Sequence, residues 1–178
     1  MRIISGKFGG RRFTPPAHMP HTRPTTDVAK EGLFNILQNR IDFDGLKCLD
    51  LFGGTGSISY ELASRGAHEI ITIEKDHKQF QYIQQTACQL GIESIRVHKQ
   101  DVFQFLDRCE EKFDFIFAGP PYALTTIDQL PLIIYKQNIL SSGGLFVLEH
   151  TPRNTYANFK GFEKERNYGT TVFSFFVN

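Results

Sequence analysis

The stretch Lys47-Cys48-Leu49-Asp50-Leu51-Phe52-Gly53-Gly54-Thr55-Gly56-Ser57 restricts this chain more than any other. A short apolar run takes in an acid, passes into a loop with three glycines, and leads into Ser57-Ile58-Ser59-Tyr60-Glu61-Leu62-Ala63, which reads as a helix. A buried strand that feeds a tight glycine turn and then a helix opens a nucleotide-binding α/β unit. Glycine serves there because the backbone turns with φ > 0 and a ligand approaches where a Cβ would intrude. The glycines do not follow G-x-G-x-x-G, since counting from Gly54 the third position is Ser59. A loop passing close to an amino-acid moiety fits better than one cradling a pyrophosphate.

Around that loop, apolar runs and helical periodicities alternate. Strands are predicted at about Lys47–Leu51, Glu69–Glu74, Ile95–His98, Phe113–Ala118 and Gly144–Glu149. Helices are predicted between them at about Ser57–Arg65, Asp76–Leu90, Val102–Leu106 and Thr125–Gln137. Before the first strand, Ala29, Leu33, Ile36 and Leu37 recur at helical spacing behind Asp27, which suits an N-cap. Repeated βα units with short loops imply a parallel sheet covered by helices on both faces. The carboxyl-terminal segment breaks the rhythm: Phe162–Tyr168 and Thr170–Val177 flank Gly169 with no helix between, the pattern of an antiparallel hairpin. Phe173, Phe175 and Val177 alternate with Val172, Ser174 and Phe176, so both faces of the last strand are expected to be buried. A mostly parallel α/β sheet finished this way resembles the Rossmann-like class I S-adenosylmethionine-dependent methyltransferase fold, with seven strands and an antiparallel carboxyl-terminal hairpin.

Residues 1–26 read as a basic extension ahead of a domain at 27–178. Arg2-Ile3-Ile4 and Arg12-Phe13 are placed to pair as a short β-hairpin around Gly9-Gly10. The chain's formal net charge is +1, but the first 24 residues carry Arg2, Lys7, Arg11, Arg12 and Arg23 without an acid, so this arm holds +5 and the remainder −4. Such an arm suits a polyanion, with a merely solvated face as the alternative. At 178 residues the chain is sized for one domain with its own core. No run approaches the roughly 18 to 20 apolar residues of a membrane span, and the amino terminus lacks the apolar segment of a secretory signal. Cys48, Cys88 and Cys109 form no CxxC pair, which points to reduced thiols in a cytoplasm and away from structural zinc. His18 and His21 are close but show no ligand pattern, so no metal is expected, and the short chain favours a monomer.

In open α/β sheets ligands bind beyond the carboxyl ends of the strands, and four loops there carry polar or glycine features. The first runs from Asp50 through Phe52, Gly53, Gly54 and Gly56 to Ser57. Glu74 ends the second strand and can accept both hydroxyls of an adenosine ribose, or serve only as a surface acid. Asp101 follows the third strand, placed for an adenine amine with Val102 beside the ring, or to cap the next helix. The fourth loop is Gly119-Pro120-Pro121-Tyr122, where two locked prolines direct carbonyls into the crevice and Tyr122 offers a planar face. A rigid carbonyl beside an aromatic ring is suited to position a flipped base with an exocyclic amine.

Asp-Leu-Phe-x-Gly-x-Gly at 50–56, Pro-Pro-Tyr at 120–122, and Arg23-Pro24-Thr25-Thr26-Asp27 before a Lys-Glu-x-Leu-Phe-Asn helix at 30–35 together resemble the RsmD family. The opening Arg2-Ile3-Ile4-Ser5-Gly6 and Gly9-x-Arg11 match as well, so the resemblance covers essentially the whole chain. It implies S-adenosylmethionine-dependent methylation of the exocyclic N2 of one guanine in 16S rRNA of the small ribosomal subunit. It also implies that the basic arm helps hold rRNA and that Arg23 lies near the crevice. The family has Asp or Asn before Pro-Pro-Tyr, and this chain has Gly119. By analogy with losing a transition-state hydrogen-bond partner, that change would cost roughly 10² to 10³ in rate. Three alternatives stay open: an rRNA- or cofactor-binding protein crippled at Gly119, a DNA adenine-N6 methyltransferase, and a nicotinamide oxidoreductase.

Overall fold

The computed structural model describes residues 1–16 and 25–178, so Arg23, His18 and His21 lie outside the described residues. Among the described residues, seven strands are present: β1 (Lys47–Leu51), β2 (Glu69–Glu74), β3 (Ile95–Lys99), β4 (Phe113–Ala118), β5 (Leu140–His150), β6 (Phe162–Tyr168) and β7 (Thr171–Val177). They form one sheet in the order β3-β2-β1-β4-β5-β7-β6. The first five run parallel, and β7 enters antiparallel between β5 and β6. The helices are α1 (Asp27–Leu37), α2 (Ser57–Ser64), α3 (His77–Leu90), α4 (Val102–Arg108) and α5 (Gln129–Lys136).

The strand period of two divides the side chains between two cores. Cys48, Phe115, Phe117, Val147, Phe173 and Phe175 pack with Leu33 and Phe34 of α1, Leu62 of α2 and Ile83 of α3. Leu49, Ile116, Phe146, Leu148 and Phe176 pack with Leu106 of α4 and with Leu130 and Ile134 of α5. Helices therefore cover both faces, which is why the central strands are apolar along their length. Strand order reverses at β1, whose neighbours are β2 and β4, and such a reversal opens a crevice at the carboxyl ends.

Local chemistry moves several element ends from their expected places. Thr26, not Asp27, caps α1: its hydroxyl accepts from the Ala29 N–H at 3.2 Å, and Asp27 becomes the acidic first residue of the helix. The helix expected from Thr125 begins at Gln129. Pro131 lacks an N–H and would clash with the carbonyl four residues earlier, so only the first turn tolerates it. β5 starts at Leu140 rather than Gly144, with a register shift against β4 between Phe113 and Phe115.

The amino-terminal arm pairs through a single antiparallel bridge between Arg2 and Arg12, flanked by Ile3 N–H to Arg11 O and Phe13 N–H to Met1 O. Ile3, Phe8 and Phe13 are buried in the same core as α1 and α2. The carboxylate of Glu61 on α2 accepts from the Ile4 and Ser5 N–H groups at 2.7 and 3.1 Å. Among the described residues, no helix is long and apolar enough to cross a membrane.

Candidate active site

A turn from β1 into α2 must reverse the chain within a few residues. Phe52, Gly54 and Gly56 do so at φ 66°, 56° and 77°. At Gly56 a Cβ would also lie 2.5 Å from the Tyr60 ring, so φ and packing both demand glycine there. Gly53 passes beneath β2, where a Cβ would sit 2.5 Å from Thr72 Cγ2. Ser57 opens α2, and its Oγ accepts from Lys30 Nζ at 2.9 Å. Lys30 is fully buried, donates to the Arg2 carbonyl at 2.6 Å and stands 4.0 Å from Glu61. Burial lowers its pKa, opposed chiefly by the Glu61 charge.

Two acids border the loop. Asp50 is buried and accepts from Ser59 Oγ at 2.5 Å, and that hydroxyl also meets Thr72 Oγ1 at 2.7 Å. Burial pushes the Asp50 carboxyl up to about 7, against the Ser59 hydrogen bond, and the Glu74 charge adds to the rise. Glu74 accepts from Gly54 N–H at 2.8 Å on one oxygen and from Asp76 N–H at 2.7 Å on the other. It thereby ties the end of β2 to the glycine loop, leaving further lone-pair capacity on each oxygen. Burial raises its pKa, opposed by these backbone bonds.

The fourth loop closes the opposite wall. Gly119 N–H donates to the Leu51 carbonyl at 3.2 Å, docking this loop onto the end of β1. Gly119 is outside the left-handed φ region, and a Cβ there would lie 2.9 Å from Phe117 Cε1 and 3.8 Å from Glu149 Oε2. The Tyr122 hydroxyl donates to Glu149 Oε1 at 3.2 Å and meets Thr171 Oγ1 at 3.0 Å. Thr25 Oγ1 donates to Glu149 Oε2 at 2.5 Å.

One cavity of about 960 Å³ gathers Asp50, Phe52, Gly53, Gly54, Ser57 and Glu74 with Gly119, Pro120, Pro121 and Tyr122. Gly56 shapes the turn without lining it. Asp101 and Val102 also lie outside the lining. Asp101 accepts from Phe103 and Gln104 N–H groups as the N-cap of α4 and pairs with Lys75 at 3.5 Å, while Val102 packs into the core. The cap uses Oδ1, while Oδ2 faces Lys75. Arg2, Lys7, Arg11 and Arg12 are exposed on the arm. Arg2 pairs with Glu31 at 3.5 Å, and Arg11 donates to the Leu90 carbonyl at 3.0 Å.

Sequence reading passed over Glu149 and Thr25. The rule that selected the ends of the first four strands applies equally to the fifth, so Glu149 carried an available signal. Thr25 stands in the Arg23–Asp27 motif, but only the fold brings it to β5. No group of three or more His, Cys, Asp or Glu side chains among the described residues could hold a metal ion.

A sheet in this order, with a glycine loop and acid-tipped strands facing a rigid loop across one crevice, defines the Rossmann-like fold of S-adenosylmethionine-dependent methyltransferases. The chain belongs to the RsmD family, whose model, described as Conserved hypothetical protein 95, matches residues 1–177. It is 28% identical to the ribosomal RNA small subunit methyltransferase D of Buchnera aphidicola subsp. Baizongia pistaciae over 186 residues, covering 100% of this chain and 92% of the relative. The solved putative methyltransferase yhhF from Escherichia coli superimposes with a TM-score of 0.85 at 26% identity, covering 99% of this chain and 96% of that one. A Thermus thermophilus 16S rRNA N2 G1207 methyltransferase, solved with AdoMet and guanosine, shares the fold at a TM-score of 0.70 and 24% identity, over 88% of this chain and 44% of that one.

Proposed function

We propose that this chain transfers a methyl group from S-adenosylmethionine to the exocyclic N2 amine of a guanine in 16S rRNA of the small ribosomal subunit. The observation that carries this reading is the single crevice of about 960 Å³ joining the glycine loop to the Gly119–Tyr122 loop, with room for a cofactor and a planar base together. The donor set suits such a cofactor. Asp50 and Glu74 offer carboxylates to an ammonium and to ribose hydroxyls, while the start of α2 offers N–H groups to a carboxylate. When bound, the cofactor supplies an electrophilic methyl on a sulfonium.

The chain's own residues do the rest. The loop from Gly53 to Ser57 holds the donor, and the Gly119–Pro120 backbone orients the amine. Tyr122 gives the base a face to stack on. Proximity and alignment of this kind lower a barrier by roughly 7 to 11 kcal/mol. Arg2, Lys7, Arg11 and Arg12 contact phosphates, so residues 1–26 act as the RNA-holding part of a methyltransferase domain at 27–178. The names of the curated relatives support a ribosomal RNA substrate. The test is incubation of unmethylated small subunits with labelled S-adenosylmethionine, followed by mass-spectrometric mapping of the modified base. Label on guanine N2 supports the reading. Label on adenine, or cofactor binding with no incorporation into any nucleic acid, rejects it.

A further inference from the structure

We propose that the Glu149 carboxylate is the catalytic acceptor for the amine proton during methyl transfer, an inference that rests on the reading of the crevice given above. Gly119 begins the loop that faces the base, yet it has no side chain with which to accept an N–H. The oxygen that fills this role comes from another strand. Because a Cβ on Gly119 would lie 3.8 Å from Glu149 Oε2, that oxygen occupies the region a short acidic or amide side chain at 119 would reach into.

Sheet pairing fixes the position of Glu149. The preceding Leu148 pairs with Ala118 of β4, and Glu149 itself pairs with Phe173 of β7. The residue is 4% exposed and lines the crevice. Thr25 holds Oε2 and Tyr122 holds Oε1. Each carboxylate oxygen has more than one lone-pair site, so Oε2 can accept an amine hydrogen beside the Thr25 hydroxyl, while Tyr122, which also meets Thr171 Oγ1 at 3.0 Å, keeps Oε1 in place.

The chemistry needs such a group. The lone pair of an aromatic exocyclic amine is delocalised into the ring, and an acceptor on one N–H directs that pair towards the methyl. In the transfer the nitrogen pair forms the N–C bond, the C–S bond breaks, and its electrons remain on sulfur as a neutral thioether. Nitrogen is left positively charged with one proton in excess, and that proton passes to the Glu149 carboxylate. A fixed, buried carboxylate also stabilises the charge as it develops.

A clamp role, in which Glu149 holds Thr25 and Tyr122 without meeting the amine, is the competing explanation. The test compares the parent chain, Glu149→Gln, and Glu149→Gln combined with Gly119→Asp, on unmethylated small subunits. Glu149→Gln is expected to lower kcat by about 10² to 10³. The calorimetric Kd for S-adenosylmethionine, the KM for subunits and the Tm should stay close to those of the parent. The double variant should regain at least tenfold in kcat, because a carboxylate returns to the same region from the neighbouring strand. A kcat for Glu149→Gln within threefold of the parent overturns the proposal. So does a loss shared in proportion by cofactor Kd and KM, or a double variant without recovery. If the parent binds cofactor but methylates no nucleic acid, the methyl-transfer reading fails and this inference falls with it. An active parent that is insensitive to Glu149 defeats the inference alone.

Discussion

Lys30 and Ser57, 27 residues apart, share a buried hydrogen bond of 2.9 Å that joins α1 to the first residue of α2. The same ammonium holds the Arg2 carbonyl, so the basic arm, the first helix and the glycine loop meet at one charge. Replacing Lys30 by Met removes that charge, while Arg65 stays paired with Glu61 at 2.9 Å. Breaking a buried pair costs about 3 to 5 kcal/mol, and the surviving Arg65 contact places the expected loss near the lower figure. Urea denaturation of Lys30→Met should show it. Ser57→Ala removes only one hydrogen bond and should lose about 1 kcal/mol.

Asp50 predicts a pH dependence. Its folded pKa of about 7 lies above the ordinary value of 3.8 because the carboxyl is buried. An acid shifted this way contributes stability that is complete below the unfolded pKa and is lost as pH rises through the folded one. The Tm of the cofactor-free protein should therefore fall from about pH 4 to pH 7, and Asp50→Asn should flatten that slope. The Glu74 shift has the same sign. A cationic cofactor group favours the ionised Asp50, so calorimetry should show S-adenosylmethionine binding that tightens as pH rises towards about 7 and levels off above it, with proton release on binding confined to the lower pH range.

Gly56→Ala tests the turn. Its φ of 77° disfavours any residue with a Cβ, and that atom would meet the Tyr60 ring at 2.5 Å. Overpacking alone costs about 1 to 3 kcal/mol, and the backbone penalty adds about 1 to 2. A shift in chemical denaturation midpoint larger than that of Ser57→Ala is the expected outcome.

Gly119→Asp on its own should give no large gain in rate. A Cβ there meets the Phe117 ring at 2.9 Å, and the new carboxylate would approach Glu149. Two adjacent carboxylates raise the pKa of one of them, so the pair carries about one usable charge. A tenfold increase over the parent in the labelled-methyl assay would contradict this.

Charge reversal on the arm addresses RNA holding. Lys7→Glu with Arg12→Glu changes two exposed residues. The pair should weaken rRNA binding uniformly across sequences and flatten the plot of log K against log[salt] by about 1 to 2. Cofactor affinity should not move.

Much of this fold is written locally. The apolar runs at Lys47–Leu51, Glu69–Glu74 and Phe113–Ala118 match the observed strands residue for residue, because a short continuous apolar run bounded by turn residues is a local signal. Element ends were harder to place at Thr26 and Pro131, where one side-chain cap or one missing N–H shifts a boundary by a residue or a turn. Asp101 illustrates a polar residue with two competing partners, a ligand or its own helix. Its Oδ1 caps the helix that follows it in sequence.

The sequence by itself determined the α/β alternation, the antiparallel finish, the glycine loop and the rigid Pro-Pro-Tyr loop, all of which depend on neighbours within a few residues. Only the tertiary structure decided that Lys30 reaches Ser57, that Thr25 reaches Glu149, and that Glu149 Oε2 lies 3.8 Å from where a Cβ on Gly119 would sit. Those relationships come from strand order and helix docking, which bring distant segments together through burial that no local pattern encodes. The absent side chain at 119 and the acid ending the fifth strand were both visible in the sequence, whereas their adjacency was set only once β5 lay against β4.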